Sequence, residues 1–272
     1  MISGNIEKMT SQLNDTVEYA LPIGDQSIGM NQYLGKNITL HHTGNINCIN
    51  CGKKTKKSYS QGYCYPCMMK LAACDMCIVK PETCHFDQGT CREPDWGMTH
   101  CMQPHYVYLS NSSGIKVGIT RATQIPTRWV DQGAIQALPI AKAQTRYQVG
   151  LLEVAFKSQV ADKTDWRKML KNQVEKVDLA EKRDEIFTAC ESDINALKER
   201  FGQDSIELIN DAETVEINFP VLENPEKIKA WNFDKTPDVS GKLMGIKGQY
   251  LILDTGVLNV RKYTGYELQL EE

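Results

Sequence analysis

Nine of the ten cysteines in this chain lie between Cys48 and Cys101, and the first four are spaced as C-x2-C-x12-C-x2-C. They are Cys48, Cys51, Cys64 and Cys67. Two thiolates two residues apart can bind one cation from a single tight turn, and two such pairs complete the tetrahedron that Zn²⁺ prefers. The pattern therefore predicts a structural zinc site. A disulfide framework is the disfavoured alternative, because nothing near the N-terminus resembles a secretion signal and cytosolic thiols stay reduced.

The residues beside these cysteines predict how they are held. Gly52 directly follows Cys51 and can take a positive φ, which lets backbone N–H groups point at the sulfurs. The second pair runs into a helical segment with Pro66 near its first position. A knuckle, a polar hairpin and a CxxC pair that opens a helix are typical of a treble-clef or ribbon-like zinc module.

The remaining cysteines of this region supply enough ligands for a second metal site. The expected ligands are Cys74, Cys77, Cys84 and Cys91. Four thiolates suit either a second zinc ion or an iron–sulfur cluster, and their spacing does not decide between the two. We expect zinc, with Cys101 either left over or replacing Cys91. His85 and His100 stand beside cysteines and could substitute for one of them.

Basic residues are concentrated in the middle of a chain whose formal net charge is −3. Residues 46–130 contain ten Lys or Arg and five Asp or Glu, and a run of four lysines follows the first cysteine pair. The run consists of Lys53, Lys54, Lys56 and Lys57. This asymmetry favours an anionic partner, and we expect it to be nucleic acid. A solvated hairpin that offsets thiolate charge is the alternative interpretation of the lysine run.

The overall composition is that of a globular protein, with 41% hydrophobic and 24% charged residues. No stretch approaches the roughly 18 apolar residues that a membrane span needs. The N-terminus has no basic segment followed by an apolar run. We therefore expect a cytoplasmic protein without a membrane partner; the sequence does not indicate an oligomeric state.

Hydrophobic patterning between residues 105 and 157 predicts a hairpin, a helix, a third strand and a second helix. The first helix carries Arg128, and the second carries Glu153, the one acid inside its apolar run from Gly150 to Phe156. The predicted elements are strands at 105–110, 115–120 and 137–141 and helices at 126–132 and 147–156.

This segment resembles the GIY-YIG endonuclease domain. Tyr106-Val107-Tyr108 stands where that family has Gly-Ile-Tyr, and Lys116-Val117-Gly118 stands where it has Tyr-Ile-Gly. Arg128 stands near the family's helix arginine, and Glu153 stands at its metal-binding glutamate. The whole chain also resembles an uncharacterised bacterial family that combines cysteine knuckles with such a domain.

The resemblance implies a metal-dependent phosphodiesterase that acts on DNA or RNA. A tyrosine oxygen would position or deprotonate water, one carboxylate would hold Mg²⁺ or Mn²⁺, and an arginine would stabilise charge on the phosphate. These roles fall to Tyr108, Glu153 and Arg128. Lys116 would contact phosphate, and Tyr106 would stand in for the second tyrosine of the family, which Lys116 replaces.

The replacement of the family's second tyrosine by Lys116 also allows a second interpretation. The chain would then be a non-catalytic, zinc-containing protein that uses a nuclease-like fold as a platform for nucleic acid. In both interpretations we expect phosphate contacts from Lys116, Arg121 and Arg128, aided by the lysine run at 53–57.

We predict an α+β protein in which a small GIY-YIG-like mixed domain carries appended helices, beside a cysteine-rich zinc module. The terminal strands are too few to form a separate unit at either end, so we expect them to pair with each other. The predicted segments are an N-terminal β segment at 1–45, the cysteine-rich module at 46–104, the GIY-YIG-like domain at 105–160, a helical pair at 161–204 that packs on its sheet, and C-terminal strands at 205–272.

Overall fold

The structure is a computed structural model that describes residues 2–160 and 165–272. The start predicted for the helical pair, residues 161–164, lies outside the described residues. The strands are β1 (Ile2–Asn5), β2 (Thr10–Gln12), β3 (Glu18–Ile23), β4 (Gln26–Gly29), β5 (Asn37–Ile46), β6 (His105–Asn111), β7 (Ile115–Arg121), β8 (Gln136–Ala143), β9 (Ile206–Leu208), β10 (Val215–Glu216), β11 (Asp238–Lys247), β12 (Tyr250–Leu253), β13 (Gly256–Asn259) and β14 (Tyr266–Glu271). The α-helices are α1 (Tyr65–Lys70), α2 (Pro94–His100), α3 (Thr127–Asp131), α4 (Arg146–Phe156), α5 (Trp166–Leu170), α6 (Leu179–Ala189) and α7 (Glu191–Phe201). The chain is thus a mixed α+β protein, as predicted.

Both ends of the chain contribute to one six-stranded sheet, whose order is β1-β14-β5-β11-β12-β13. Leu270 on β14 pairs with Ile2 on one side and with Leu40 on the other, and Leu40 in turn pairs with Val239 on β11. Leu40, Val239 and Leu270 are buried. The three-stranded sheet β2-β3-β4 buries alternate residues of β3 in the same core, because strand side chains alternate between faces.

A second sheet has the order β10-β8-β6-β7, with β9 added to β8. The hairpin β6–β7, helix α3, strand β8 and helix α4 follow one another as predicted. Helices α4, α6 and α7 share a core with this sheet, which includes Val107, Ile140, Leu152, Ile186 and Ile194. The sheet therefore holds α4, and with it Glu153, in a fixed place beside the hairpin.

The expected helical pair is divided between the two sheets. Helices α6 and α7 pack on the second sheet, and their junction residue Cys190 is buried there. In α5, by contrast, Met169 and Leu170 pack against Ile252 and Val257 of the C-terminal strands. An apolar stripe identifies the buried face of a helix but not the sheet that covers it. The sequence therefore could not show which sheet α5 packs against.

The region from Cys48 to Cys101 contains only two short helices, α1 and α2, among the elements above. Four 3₁₀ turns occupy its centre, at Ala72–Cys74, Met76–Ile78, Pro81–Thr83 and Phe86–Gln88. The turn at Pro81 packs on α4, where a Cβ added at Gly150 would lie 2.7 Å from the Pro81 Cβ. This contact joins the cysteine-rich region to the second sheet.

Candidate functional site

The first four cysteines lie on a tight turn and at the start of a helix. Cys48 follows β5, and the amide of Gly52 donates to the Cys48 carbonyl oxygen at 2.8 Å. Gly52 has a φ of 68°, the conformation that the turn requires. Cys64 caps α1, which has Pro66 in its first turn.

The Sγ atoms of these four cysteines all lie within 4.8 Å of one another, and those of Cys51 and Cys64 are 3.8 Å apart. A tetrahedral zinc ion with Zn–S bonds of about 2.3 Å places its sulfurs about 3.8 Å apart, so the group is compatible with one zinc ion. Burial opposes ionisation of Cys48, but backbone amides of Cys64 and Cys51 outweigh it and lower the pKa of Cys48 to about 6. This favours the thiolate form that a metal binds.

The other five cysteines are divided differently from the predicted set. Four of them line one small cavity and are Cys77, Cys84, Cys91 and Cys101. Cys74 instead lines a larger cleft together with Ser60 and Tyr63. Cys74 and Cys77 belong to consecutive 3₁₀ turns separated by the extended residue Asp75, and that change of direction sends their side chains to different surroundings.

Acidic and basic groups surround the small cavity. Asp75, Cys77 and His85 have ligand atoms within 4.8 Å of one another, and Asp75 Oδ2 lies 2.6 Å from Arg92 Nε. Burial, followed by the nearby charges of Asp75 and Cys84, raises the pKa of the Cys77 thiol to about 12.

The larger cleft lies where the hairpin β6–β7, helices α3 and α4 and the cysteine-rich region meet, and its volume is about 800 Å³. Glu7, Asp75 and Glu153 are its acidic lining residues, and Asp75 is paired with Arg92. The basic lining residues are Lys8, Lys116, Arg121, Arg128, Arg146 and Arg261. A concave surface with this excess of positive charge attracts anions.

Four predicted site residues, Lys116, Arg121, Arg128 and Glu153, therefore line one cleft. Lys116 lies on β7 with 8% of its surface exposed. Burial and the charge of Arg128 lower the pKa of Lys116 to about 8. Lys116 is consequently protonated in most molecules at neutral pH but loses its charge under mildly alkaline conditions.

Helix α4 positions Glu153. A reciprocal capping box fixes the start of the helix, since Gln148 N donates to Thr145 Oγ1 and Thr145 N donates to Gln148 Oε1. Residues 146, 150 and 153 then share one helical face. Arg146 and Glu153 thus point into the cleft from the face on which Gly150 meets Pro81.

The carboxylate of Glu153 is largely buried and surrounded by cations. Its Oε2 lies 3.6 Å from Lys157 Nζ. Burial raises the pKa of Glu153 above its usual value. The charges of Lys157 and Arg146 oppose this rise without cancelling it. Arg146 also donates from Nη2 to the carbonyl oxygen of Ile78 at 2.6 Å, which ties the cysteine-rich region to the same helix.

Tyr108 lies beneath the floor of the cleft. It is fully buried, and its hydroxyl donates to Gln132 Oε1 at 3.1 Å. Gly118 is its cross-strand partner, and a Cβ at that position would lie 2.7 Å from the Tyr108 hydroxyl oxygen. Burial raises the pKa of Tyr108, and the charge of Arg128 opposes that rise. The absence of a side chain at Gly118 therefore allows Tyr108 to reach Gln132 and Arg128.

The other predicted residues lie outside the cleft lining. Tyr106 is half-buried on β6, with Lys142 Nζ 6.0 Å from its ring centroid. The lysine run at 53–57 is exposed, and Lys54 Nζ donates to Asn45 Oδ1 at 2.6 Å. The structure does not bring these residues together with Glu153.

Sequence reasoning missed three of the basic lining residues. Arg146 had a usable signal, because it precedes Glu153 by seven residues, or about two turns of one helix. Lys8 and Arg261 had no local signal, because the paired chain ends bring them to the cleft. Lys8 Nζ lies 2.7 Å from Asp131 Oδ2, and Arg261 Nε donates to Gln61 Oε1 at 2.6 Å.

Comparison with known proteins identifies a family. The family described as "Protein of unknown function (DUF2797)" matches residues 35–268. No curated protein and no solved structure matches the chain. Among the described residues, every helix is too short or too polar to cross a membrane.

Proposed function

The chain belongs to the DUF2797 family of proteins of unknown function, and we propose that it is a metal-dependent phosphodiesterase of the GIY-YIG endonuclease type that acts on DNA or RNA. The observation that carries this proposal is that Lys116, Arg128 and Glu153 line one basic cleft. Basic side chains bind phosphate oxygens, and a single carboxylate suits Mg²⁺, which keeps most of its waters and takes further ligands from a substrate phosphate.

In this proposal some cleft residues bind the phosphate backbone or the metal ion, and others position those residues. Lys116, Arg121 and Arg128 bind the phosphate backbone, and Arg146 adds a positive charge beside Glu153. The Glu153 carboxylate would hold a divalent cation, and such an ion supplies Lewis-acid chemistry to a phosphate and its attacking water. Tyr108 acts as a positioning residue, because its buried hydroxyl contacts Gln132 and the side chain of Arg128.

The order of elements supports the same type of domain. A hairpin, an arginine-bearing helix, a strand and a glutamate-bearing helix succeed one another, and Tyr108 faces Gly118 across the hairpin. The resemblance to GIY-YIG endonucleases rests in part on this order of elements. The cysteine-rich region forms one wall of the cleft through Ile78, Val79 and Pro81, so its zinc would have a structural role.

A second candidate function is binding without cleavage. The observation that favours it is the burial of the Tyr108 hydroxyl, together with Lys116 in place of the family's second tyrosine. Neither family tyrosine is then at the cleft surface to align water. In this case the basic cleft binds nucleic acid and Glu153 has no catalytic role.

Cleavage assays with Glu153→Gln separate the two functions. Single- and double-stranded DNA and RNA are incubated with Mg²⁺ or Mn²⁺, and Glu207→Gln on β9 serves as the matched control. The substitution keeps the shape of Glu153 and removes its charge. Cleavage should fall by on the order of 100-fold, whereas binding should persist or improve because repulsion from phosphate is relieved.

Two outcomes would contradict the proposal. Cleavage that survives Glu153→Gln would show that the catalytic site lies elsewhere in the protein. Nucleic-acid binding by the wild type without cleavage of any substrate would favour the second candidate.

A further inference from the structure

The small cavity of the cysteine-rich region has the composition of a second metal site. Its volume is about 20 Å³, and four cysteines border it. A space of this size can hold a single ion. Four thiolates around one ion are the ligand set that zinc takes in closed structural sites.

We propose that Cys77, Cys84, Cys91 and Cys101 bind a second structural zinc ion. This inference does not depend on phosphodiesterase activity. It replaces Cys74, which the cysteine spacing favoured, by Cys101.

The backbone brings the four cysteines to one cavity from separate elements, with their Sγ atoms less tightly grouped than the four of the first site. Cys77 lies in the turn Met76–Ile78, and Cys84 follows the turn Pro81–Thr83. Cys101 caps the C-terminus of α2, and Cys91 lies beside the same helix, since a Cβ at Gly97 would be 3.4 Å from Cys91 Sγ.

The hydrophobic core of this region is too small to explain its fold. Between residues 71 and 104 the buried residues are all small: Ala72, Pro81, Gly97 and Cys101. A segment that buries so little apolar surface needs a cross-link such as a disulfide or a structural metal. None of its described cysteines is in a disulfide, so a bound metal is the other cross-link of this kind that they can form.

Asp75 and His85 also border the cavity but have other partners. Asp75 Oδ1 accepts from the amide of Cys77 at 3.3 Å, and its Oδ2 lies 2.6 Å from Arg92 Nε. His85 Nδ1 lies 2.7 Å from Thr90 Oγ1. Asp75 is therefore placed to support the ligands from outside. A ring nitrogen of His85 lies within 4.8 Å of Cys77 Sγ, which makes His85 the alternative ligand to one cysteine of this set.

The proposed ion would also stabilise the cleft. Ile78, Val79 and Pro81 lie between Cys77 and Cys84 in sequence, and all three line the cleft opposite α4. Zinc bound by both cysteines closes this loop at its two ends. Loss of the ion should therefore loosen one wall of the cleft as well as the cysteine-rich region.

Alkylation of the unaltered protein tests the ligand set without depending on the folding of a variant. The native protein, purified without chelators, is treated with iodoacetamide before and after metal removal by EDTA, and each cysteine is followed by mass spectrometry. The four proposed ligands should be protected until the metal is removed, whereas Cys74 should react beforehand. Free reaction of any proposed ligand in the native protein, or protection of Cys74 in its place, would overturn the set.

Elemental analysis of the wild type and of variants tests the identity and the number of the bound ions. The wild type should contain about two zinc ions per chain, one for each set of four thiolates. Cys101→Ser should lose one of them, whereas the matched control Cys74→Ser should keep both. Unchanged zinc in Cys101→Ser, one zinc in the wild type, or iron with acid-labile sulfide at this site would each overturn the proposal.

Discussion

Lys116 and Arg128 place two positive charges in the lining of the cleft, and the charge of Arg128 acts on Lys116. Burial and the charge of Arg128 lower the pKa of Lys116 to about 8, because both disfavour its ammonium form. Two cations in one concave lining attract an anion more strongly than a neutral ligand.

The charge of Lys116 makes nucleic-acid affinity dependent on pH. Lys116 is charged below its pKa of about 8 and neutral above it, so binding should weaken as the pH rises through that value. Lys116→Arg keeps a positive charge throughout this range and should remove the dependence. Fluorescence anisotropy at constant ionic strength measures the effect. Equal pH dependence in wild type and Lys116→Arg would exclude Lys116 as its source.

At the scale of single residues, the sequence predicted those site residues that belong to local motifs. Lys116, Arg128 and Glu153 were identified because each has a fixed place in a short hairpin or helix. Arg261 could not be found in this way, since the pairing of distant strands carries it to the cleft. The burial of Tyr108 was also unpredicted, because its strand has buried residues on both faces.

The contact between α4 and the turn at Pro81 is the element-scale feature on which the cleft depends. Gly150 leaves room for Pro81, and Arg146 donates to the carbonyl oxygen of Ile78 on the same helical face. Both contacts hold the cysteine-rich wall opposite the hairpin. Hydrophobic periodicity predicted α4 itself, but it could not predict which loop covers the helix.

Gly150→Val should separate α4 from the turn at Pro81. The added side chain would collide with Pro81, and overpacking of this kind costs about 1–3 kcal/mol. Urea denaturation should show that loss, and nucleic-acid affinity should fall because the wall of the cleft moves. Val154→Ala, at an exposed position of the same helix, is the control. An unchanged unfolding midpoint in Gly150→Val would mean that the contact does not contribute to stability.

At the scale of the whole molecule, the C-terminal strand β14 lies between strands of the N-terminal segment. The small number of strands at each end predicted such a pairing, and β14 is in register with both β1 and β5. The strand order could not be predicted, because alternating patterns identify the buried face of a strand but not its neighbours.

Leu270→Ala should therefore destabilise both ends of the chain. Leu270 is buried between Ile2 and Leu40, and truncation of a buried leucine typically costs about 2–5 kcal/mol. Amide hydrogen exchange should accelerate in β1 and β5 as well as in β14. Gln269→Ala changes the opposite face of the same strand and should have little effect. Native protection of β1 and β5 in Leu270→Ala would contradict a shared sheet.

The central claim is that the basic cleft binds the phosphate backbone of nucleic acid, and the salt dependence of binding tests it most directly. Affinity for DNA and RNA is measured over a range of salt concentrations for the wild type, for Arg128→Ala and for the control Arg200→Ala, which is outside the cleft lining. Wild-type affinity should fall steeply with salt, because phosphate neutralisation releases counterions. Arg128→Ala should weaken binding to all sequences alike and reduce the salt slope by about one, whereas Arg200→Ala should resemble the wild type. Salt-independent binding, no binding to DNA or RNA, or an Arg128→Ala variant indistinguishable from the control would contradict the claim.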